Sequence, residues 1–146
     1  MSSSNISNMC IKVKGISHIT LICKNLDKTT KFLQELFAAK EIYTSGTKNF
    51  SRSKEKFFLI NKLWVAIMEG KSIERTYNHI AFAIDAKALK LAKQKIRKLK
   101  LTLLPDRTRQ KGEGKSLYFY DYDNHLFELH AGDLKTRLKL YNKNKT

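Results

Sequence analysis

His18 and His79 occupy matching places in the chain, and a chemical reading begins with that pairing. Each interrupts an alternating, β-branched run, GISHITLIC at 15–23 and YNHIAFAI at 77–84. A third candidate, Glu128, lies in HLFELHA, which ends just before Gly132. Strand side chains alternate between faces, so Glu128 can point one way while Phe127 and Leu129 point to a core. Two imidazoles and a carboxylate are a ligand set for a divalent metal that keeps open positions. A single histidine in an apolar strand is ordinarily a satisfied core residue, and a single strand glutamate an edge charge. The equivalent placement of the two histidines is what argues for ligands. His130 shares a face with Glu128 and is a rival ligand; His125, beside a turn, is a weaker one.

Polar groups surround these candidates. Thr20, two residues past His18, points the same way, and Ser116, Tyr118 and Tyr120 share one face of the penultimate strand. The stretch Arg109-Gln-Lys-Gly-Glu-Gly-Lys115 before them is a basic, glycine-containing loop. Hydroxyl donors beside a cation suit a phosphate or phosphonate; the plainer reading is a solvated hairpin. No GxxxxGK[ST] phosphate loop occurs. Cys23 lies an odd number of residues from His18 and so faces the core, and Cys10 lies in a polar start, so neither is a placed thiolate.

These residues must be carried by a repeated plan. A strand at 15–23 leads through Asn25-Leu-Asp27, a helix start, to Leu33, Leu36 and Phe37 at helical spacing. Three short strands follow: KEIYTSG, EKFFLI and LWVAIME, separated by Gly46 and an Asn61-Lys62 turn. The second half repeats the order. It has a strand at 77–84, a helix at 86–99 with Leu89, Ala92, Ile96 and Leu99 on one face, then LTLLP, SLYFY and HLFELHA. A basic helix is expected over 133–143. The fold class is α+β, tandem βαβββ modules over 14–71 and 76–132 in one domain, 14–146, after a flexible extension at 1–13. Pairing two half-covered sheets would enclose a cleft for a ligand.

Composition narrows the classes. Hydrophobic residues make up 42 %, enough for a core, and no apolar run is long enough to cross a bilayer. The polar start lacks a signal-peptide pattern and two cysteines make no disulfide framework, so a cytoplasmic setting is expected. The formal charge of +16 allows nucleic-acid binding, attraction of a small anion, or a lysine-rich solvated surface. Nucleic acid is disfavoured, because no zinc-finger spacing, RNP-like motif or basic heptad accompanies the charge.

The repeated plan with His18, His79 and Glu128 resembles the glyoxalase and bleomycin-resistance superfamily. The stretches GISHITLI, SKEKFFLI, LWVAIMEG, YNHIAF, GEGKSLYFYDYDNHLFELHAG and the Arg137-Leu138 pair resemble, within it, fosfomycin-resistance enzymes of the FosX type. The likeness runs from about Gly15 to Tyr141. It implies a vicinal oxygen chelate fold, a cupped mixed sheet around a metal site, with Mn²⁺ held by His18, His79 and Glu128. It also implies substrate contacts from Thr20, Trp64, Tyr77, Ser116, Tyr118 and Arg137, and a homodimer in which two chains share each cleft. The implied activity is hydrolysis of the fosfomycin epoxide to a diol. In the hydrolytic type a glutamate stands in Ser-Lys/Arg-Glu-Lys-Phe-Phe; here that is Glu55, the expected base. Related enzymes of this scaffold add glutathione or another thiol instead, and others bind a drug without metal. Against the glutathione type, Phe57 stands where a tyrosine is expected, and Gly112 where a serine is expected.

Overall fold

The computed structural model describes residues 10–47 and 53–145. The extension expected at 1–13 therefore falls largely outside the described residues; residues 10–13 are exposed. The first module runs β1 (His18–Cys23), α1 (Leu26–Phe37), β2 (Lys40–Thr44), β3 (Glu55–Ile60) and β4 (Leu63–Glu69). The second runs β5 (His79–Ala83), a 3-10 turn, α2 (Leu89–Lys98), β6 (Thr102–Leu103), β7 (Lys115–Tyr120) and β8 (Leu126–Ala131), and α3 (Leu134–Lys143) closes the chain.

Each module folds into its own four-stranded sheet, in the order β1-β4-β3-β2 and β5-β8-β7-β6. The first strand of each pairs in parallel with the last, and the other pairings are antiparallel. The parallel pairs follow from the helix that crosses over between them. Local chemistry sets the helix ends. The Asn25 side chain accepts from Lys28 N–H at 2.9 Å and caps α1, which stops where Ala38 turns left-handed. Asp133 caps α3 in the same way. The expected strand at 101–105 shortens to two residues: Leu104 N–H still donates to Tyr118 O, but Pro105 has no N–H to continue the ladder.

One core joins the modules. Phe32 and Phe37 from α1 meet Phe119, Phe127 and Phe82 of the second sheet, with ring centroids 4.8–6.5 Å apart. Phe58, Ile67, Ile96 and Leu129 complete it. Fully burying each such side chain contributes about 1.5–3 kcal/mol. The sheet faces turned to this core carry Leu21, Cys23, Val65 and Ile67 in the first module and Phe119, Phe127 and Leu129 in the second. Alternation sends His18 and Thr20, and His79 and Glu128, to the opposite faces. Enclosure of a ligand cleft between the two sheets of one chain is thereby corrected: the aromatic side chains fill that space, and the histidine faces look outward.

Candidate metal centre and active site

The outward face of the second sheet gathers His79, Ser116, Tyr118, Glu128 and His130. The ladder sets Ser116 opposite His130 and Tyr118 opposite Glu128. Glu128 is only 6 % exposed. Burial works against its ionisation, but hydrogen bonds from Ser116 and Tyr118, with His130 and His79 close by, outweigh it, and the carboxyl is held below its usual range. Tyr118 is driven the other way, to about 12, by burial first, then by its contact with Tyr77 and the charge of Glu128.

The hydrogen-bond inventory fixes where protons sit. His79 Nδ1 lies 2.8 Å from Tyr77 O, a carbonyl that can only accept, so Nδ1 carries the proton. Nε2 faces Glu128 Oε2 at 3.0 Å: with a proton it donates to the carboxylate, and without one its lone pair and the carboxylate are both open to a metal ion. The other carboxylate oxygen, Oε1, accepts from Ser116 Oγ at 2.6 Å. Having donated its one proton, Ser116 accepts from His130 Nδ1 at 2.7 Å, and His130 Nε2 accepts from Arg137 Nη2 at 3.3 Å. Both nitrogens of His130 are thus engaged, and through Ser116 it supports Glu128. His125 is likewise engaged: Asp121 takes its Nδ1 at 2.8 Å and its backbone N–H at 2.8 Å, locking the β7–β8 turn. The imidazole anchored on a carbonyl and the carboxylate anchored on a hydroxyl are suited to a divalent metal.

The outward face of the first sheet is a second half-site. His18 stacks on Trp64 at 4.2 Å, and its Nδ1 engages Ser17 Oγ. Thr20 pairs with Ala66 and Glu55 with Met68 on the same face, and Phe57 meets Trp64 edge-on. Glu55 is 8 % exposed, and among the described residues its carboxylate forms no ion pair. Trp64 Nε1 is buried without a partner among the described residues. Of the expected site residues, Tyr77, His79, Ser116, Tyr118, Glu128 and Arg137 come together, and His18, Thr20, Glu55 and Trp64 form a separate group. Among the described residues of a single chain, no three histidines, cysteines or acids converge on a metal position.

Arg109 was not singled out by the sequence. Its Nη2 lies 3.3 Å from Tyr118 Oη and 3.8 Å from Glu128 Oε1. A loop has no periodicity to show which of its cations turns inward. Farther along the same loop Gly114 has φ +78°, and a Cβ there would come within 2.5 Å of Ala131 O, so only glycine lets the loop lie against β8.

A family model described as Glyoxalase/Bleomycin resistance protein/Dioxygenase superfamily matches residues 15–129. The fosfomycin resistance protein FosX of Listeria innocua is 61 % identical over 90 % of this chain and 99 % of its own length. Metallothiol transferase FosB of Bacillus licheniformis is 33 % identical over 92 % of this chain and 86 % of its own. A solved structure of a FosX mutant from Listeria monocytogenes, complexed with Mn(II) and 1S,2S-dihydroxypropylphosphonic acid, superposes with a TM-score of 0.82 at 56 % identity, covering 89 % of this chain and 99 % of that one. The chain therefore belongs to the glyoxalase/bleomycin resistance protein/dioxygenase superfamily, as a FosX-type member.

Proposed function

We propose that this chain confers fosfomycin resistance by Mn²⁺-dependent hydrolysis of the fosfomycin epoxide to a diol, in a site completed by a second copy of the chain. The observation that carries the reading is the convergence of His79 Nε2 and the Glu128 carboxylate at 3.0 Å, each held by a second partner. His79 and Glu128 would hold the metal from one chain and His18 from its partner, since His18 lies on the other half-site. When bound, Mn²⁺ supplies a Lewis acid that lowers the barrier to breaking the epoxide carbon–oxygen bond.

The chain's own residues supply the rest. Arg137, with the field of Arg109, holds the phosphonate through charge-assisted hydrogen bonds, with Ser116 and Tyr118 beside it as further contacts. Thr20 adds a hydroxyl from the facing module, and Trp64 and Tyr77 form walls that limit water to the reacting position. Glu55 takes a proton from that water as its oxygen bonds to an epoxide carbon and the ring opens; protonation of the released oxygen gives the diol. A base so placed contributes about 10²- to 10⁴-fold. Glu55 suits the role because, among the described residues, no cation pairs with its carboxylate. A cytoplasmic setting agrees with free Cys10 and Cys23, and among the described residues no helix is long and apolar enough to cross a membrane.

Phosphorus NMR of fosfomycin incubated with the protein and Mn²⁺, with and without glutathione, tests the reaction. The diol is expected in both tubes; a thioether formed only with glutathione would replace hydrolysis by thiol transfer. Mixing inactive His18→Ala and Glu128→Ala chains tests the shared site. Random exchange gives half mixed dimers, each with one intact site, so about a quarter of wild-type activity returns. No recovery after verified exchange would place the ligands within one chain.

A further inference from the structure

The stretch from Gly70 to Asn78 that joins the modules is neither helix nor strand, so no ladder of backbone bonds fixes its path. It nonetheless ends on the group that holds the His79 proton, the Tyr77 carbonyl 2.8 Å from Nδ1. What holds the stretch is the turn between β7 and β8. Asp123 takes its start: Oδ1 accepts from Ser72 Oγ at 2.5 Å, and the backbone carbonyl accepts from Ile73 N–H at 3.2 Å. Asn124 takes its middle twice, donating from Nδ2 to Ile73 O at 2.7 Å and accepting from Arg75 Nε at 3.1 Å. The Arg75 guanidinium also lies 4.5 Å from the centre of the Tyr120 ring. Tyr120 Oη donates to Thr76 O at 3.4 Å, one residue before the carbonyl that meets His79.

Asn124 suits both tasks. Its backbone is left-handed, at φ +72°, a conformation that asparagine and glycine tolerate, and its amide offers a donor and an acceptor side by side. Two acceptors compete for the single proton of the neutral His79 ring: Tyr77 O at Nδ1, and Glu128 Oε2, 3.0 Å from Nε2. A metal ion needs Nε2 bare, so the proton must stay on Nδ1. A linker free to drift would withdraw the Tyr77 carbonyl, and the proton would settle on Nε2, facing Glu128.

We infer that Asn124 and Arg75 are positioning residues for the metal site: they pin the linker between the modules so that Tyr77 O keeps the His79 proton on Nδ1 and leaves Nε2 to the metal. The inference rests on the reading of His79 as a metal ligand, but its first readout needs no metal. Asn124→Gly keeps the left-handed turn and removes both side-chain bonds to the linker; Arg75→Ala releases the linker from the other end. Asn25→Ala, which removes the α1 cap in the first module, is the control for lost stability alone. In the ¹⁵N-labelled, metal-free full chain in alkaline buffer, long-range ¹H–¹⁵N spectra show which His79 nitrogen carries the proton. It is expected on Nδ1 in the wild type and the Asn25 variant, and largely on Nε2 in the two linker variants, whose Mn²⁺ affinity should fall about tenfold. A proton that stays on Nδ1 in both linker variants overturns the inference, as does one already on Nε2 in the wild type, or the same change in Asn25→Ala. If the proton moves as expected but the wild-type chain takes up no Mn²⁺, the hydrolase reading falls and the linker's hold on His79 stands.

Discussion

Ser116→Ala removes one hydroxyl and tests the whole arrangement around Glu128. That hydroxyl donates to a carboxylate only 6 % exposed, at 2.6 Å. A hydrogen bond to a charged group contributes about 1.5–3 kcal/mol, which corresponds to roughly 10- to 150-fold in an equilibrium constant. The substitution also leaves His130 Nδ1–H without its acceptor, so the ring no longer braces the carboxylate. Mn²⁺ affinity of the dimer should therefore fall about 10- to 100-fold, the usual scale for losing a group that orients a metal ligand. The pH dependence has a definite sign. Burial raises the Glu128 carboxyl and the Ser116 bond is the largest influence lowering it, so the Ala variant has a higher value than the wild type. Metal needs the carboxylate form, so binding fails as pH falls through that value, and the failure moves to higher pH in the variant. Free Mn²⁺ measured by electron paramagnetic resonance across a pH series reports both effects without substrate. Ser116→Thr keeps the hydroxyl and should recover most of the affinity. A folded, dimeric Ala variant that binds Mn²⁺ like the wild type at every pH would refute the proton inventory drawn from these distances.

Three other outcomes are expected. Glu55→Gln should bind Mn²⁺ and fosfomycin with near wild-type affinity while diol formation, followed by phosphorus NMR, drops about 10²-fold or more; near-normal turnover would take Glu55 out of the mechanism. Gly114→Ala forces a side chain into φ +78° and against Ala131 O, so it should cost roughly 2 kcal/mol or more and lower the thermal midpoint by several degrees; an unchanged midpoint would show that the loop does not need that approach. With a thiol reagent at pH 8, Cys10, which is exposed, should react at once. Cys23, fully buried and pushed up to about 11 chiefly by that burial, should react only on unfolding; rapid reaction of two thiols would contradict the core packing.

Much of this was legible because period carries information. Alternation placed Phe127 and Leu129 inward and Glu128 outward, and the helical spacing of Leu89, Ala92, Ile96 and Leu99 named the buried face of α2. The three strands of the first module stand where turn residues bound them, with EKFFLI and LWVAIME matched end to end. Three things were not legible. Which faces of two similar sheets meet depends on where aromatic bulk lies in three dimensions, and Phe32 and Phe37 decide that for this chain. The inward turn of Arg109 shows only in its contacts with Tyr118 and Glu128, since a loop carries no periodicity. His130 read as a rival ligand because residue type and face were right; only its neighbours, Ser116 and Arg137, show both nitrogens engaged.

The register of the two modules explains why the proposed site has three protein ligands and a base. His18 pairs with Trp64 as His79 pairs with Leu126, so Thr20 corresponds to Ala81 and Ala66 to Glu128. The same comparison matches Glu55, opposite Met68, with Ser116, opposite His130. If the modules of two chains face each other, their equivalent positions come into the same site. A strict repeat would then offer two histidines and two acids to the metal. Ala66 breaks the repeat: the place of a second acid holds a methyl group, which leaves room and open coordination for substrate. Glu55 breaks it again at the next equivalent pair, where one module supplies a hydroxyl that braces Glu128 and the other a carboxylate with no ion-pair partner among the described residues. The asymmetry divides the labour between otherwise similar halves. In the proposed site the second module would fix the metal and the phosphonate, and the first would supply the third ligand and a base on the opposite wall, where attacking water would approach. Placing glutamate at Ala66 would restore the repeat. The physical expectation is tighter Mn²⁺ binding with hydrolysis suppressed, read by metal titration and phosphorus NMR on one sample. Full hydrolysis in that variant would mean that position 66 does not face the metal, and the pairing of modules inferred from their register would have to be given up.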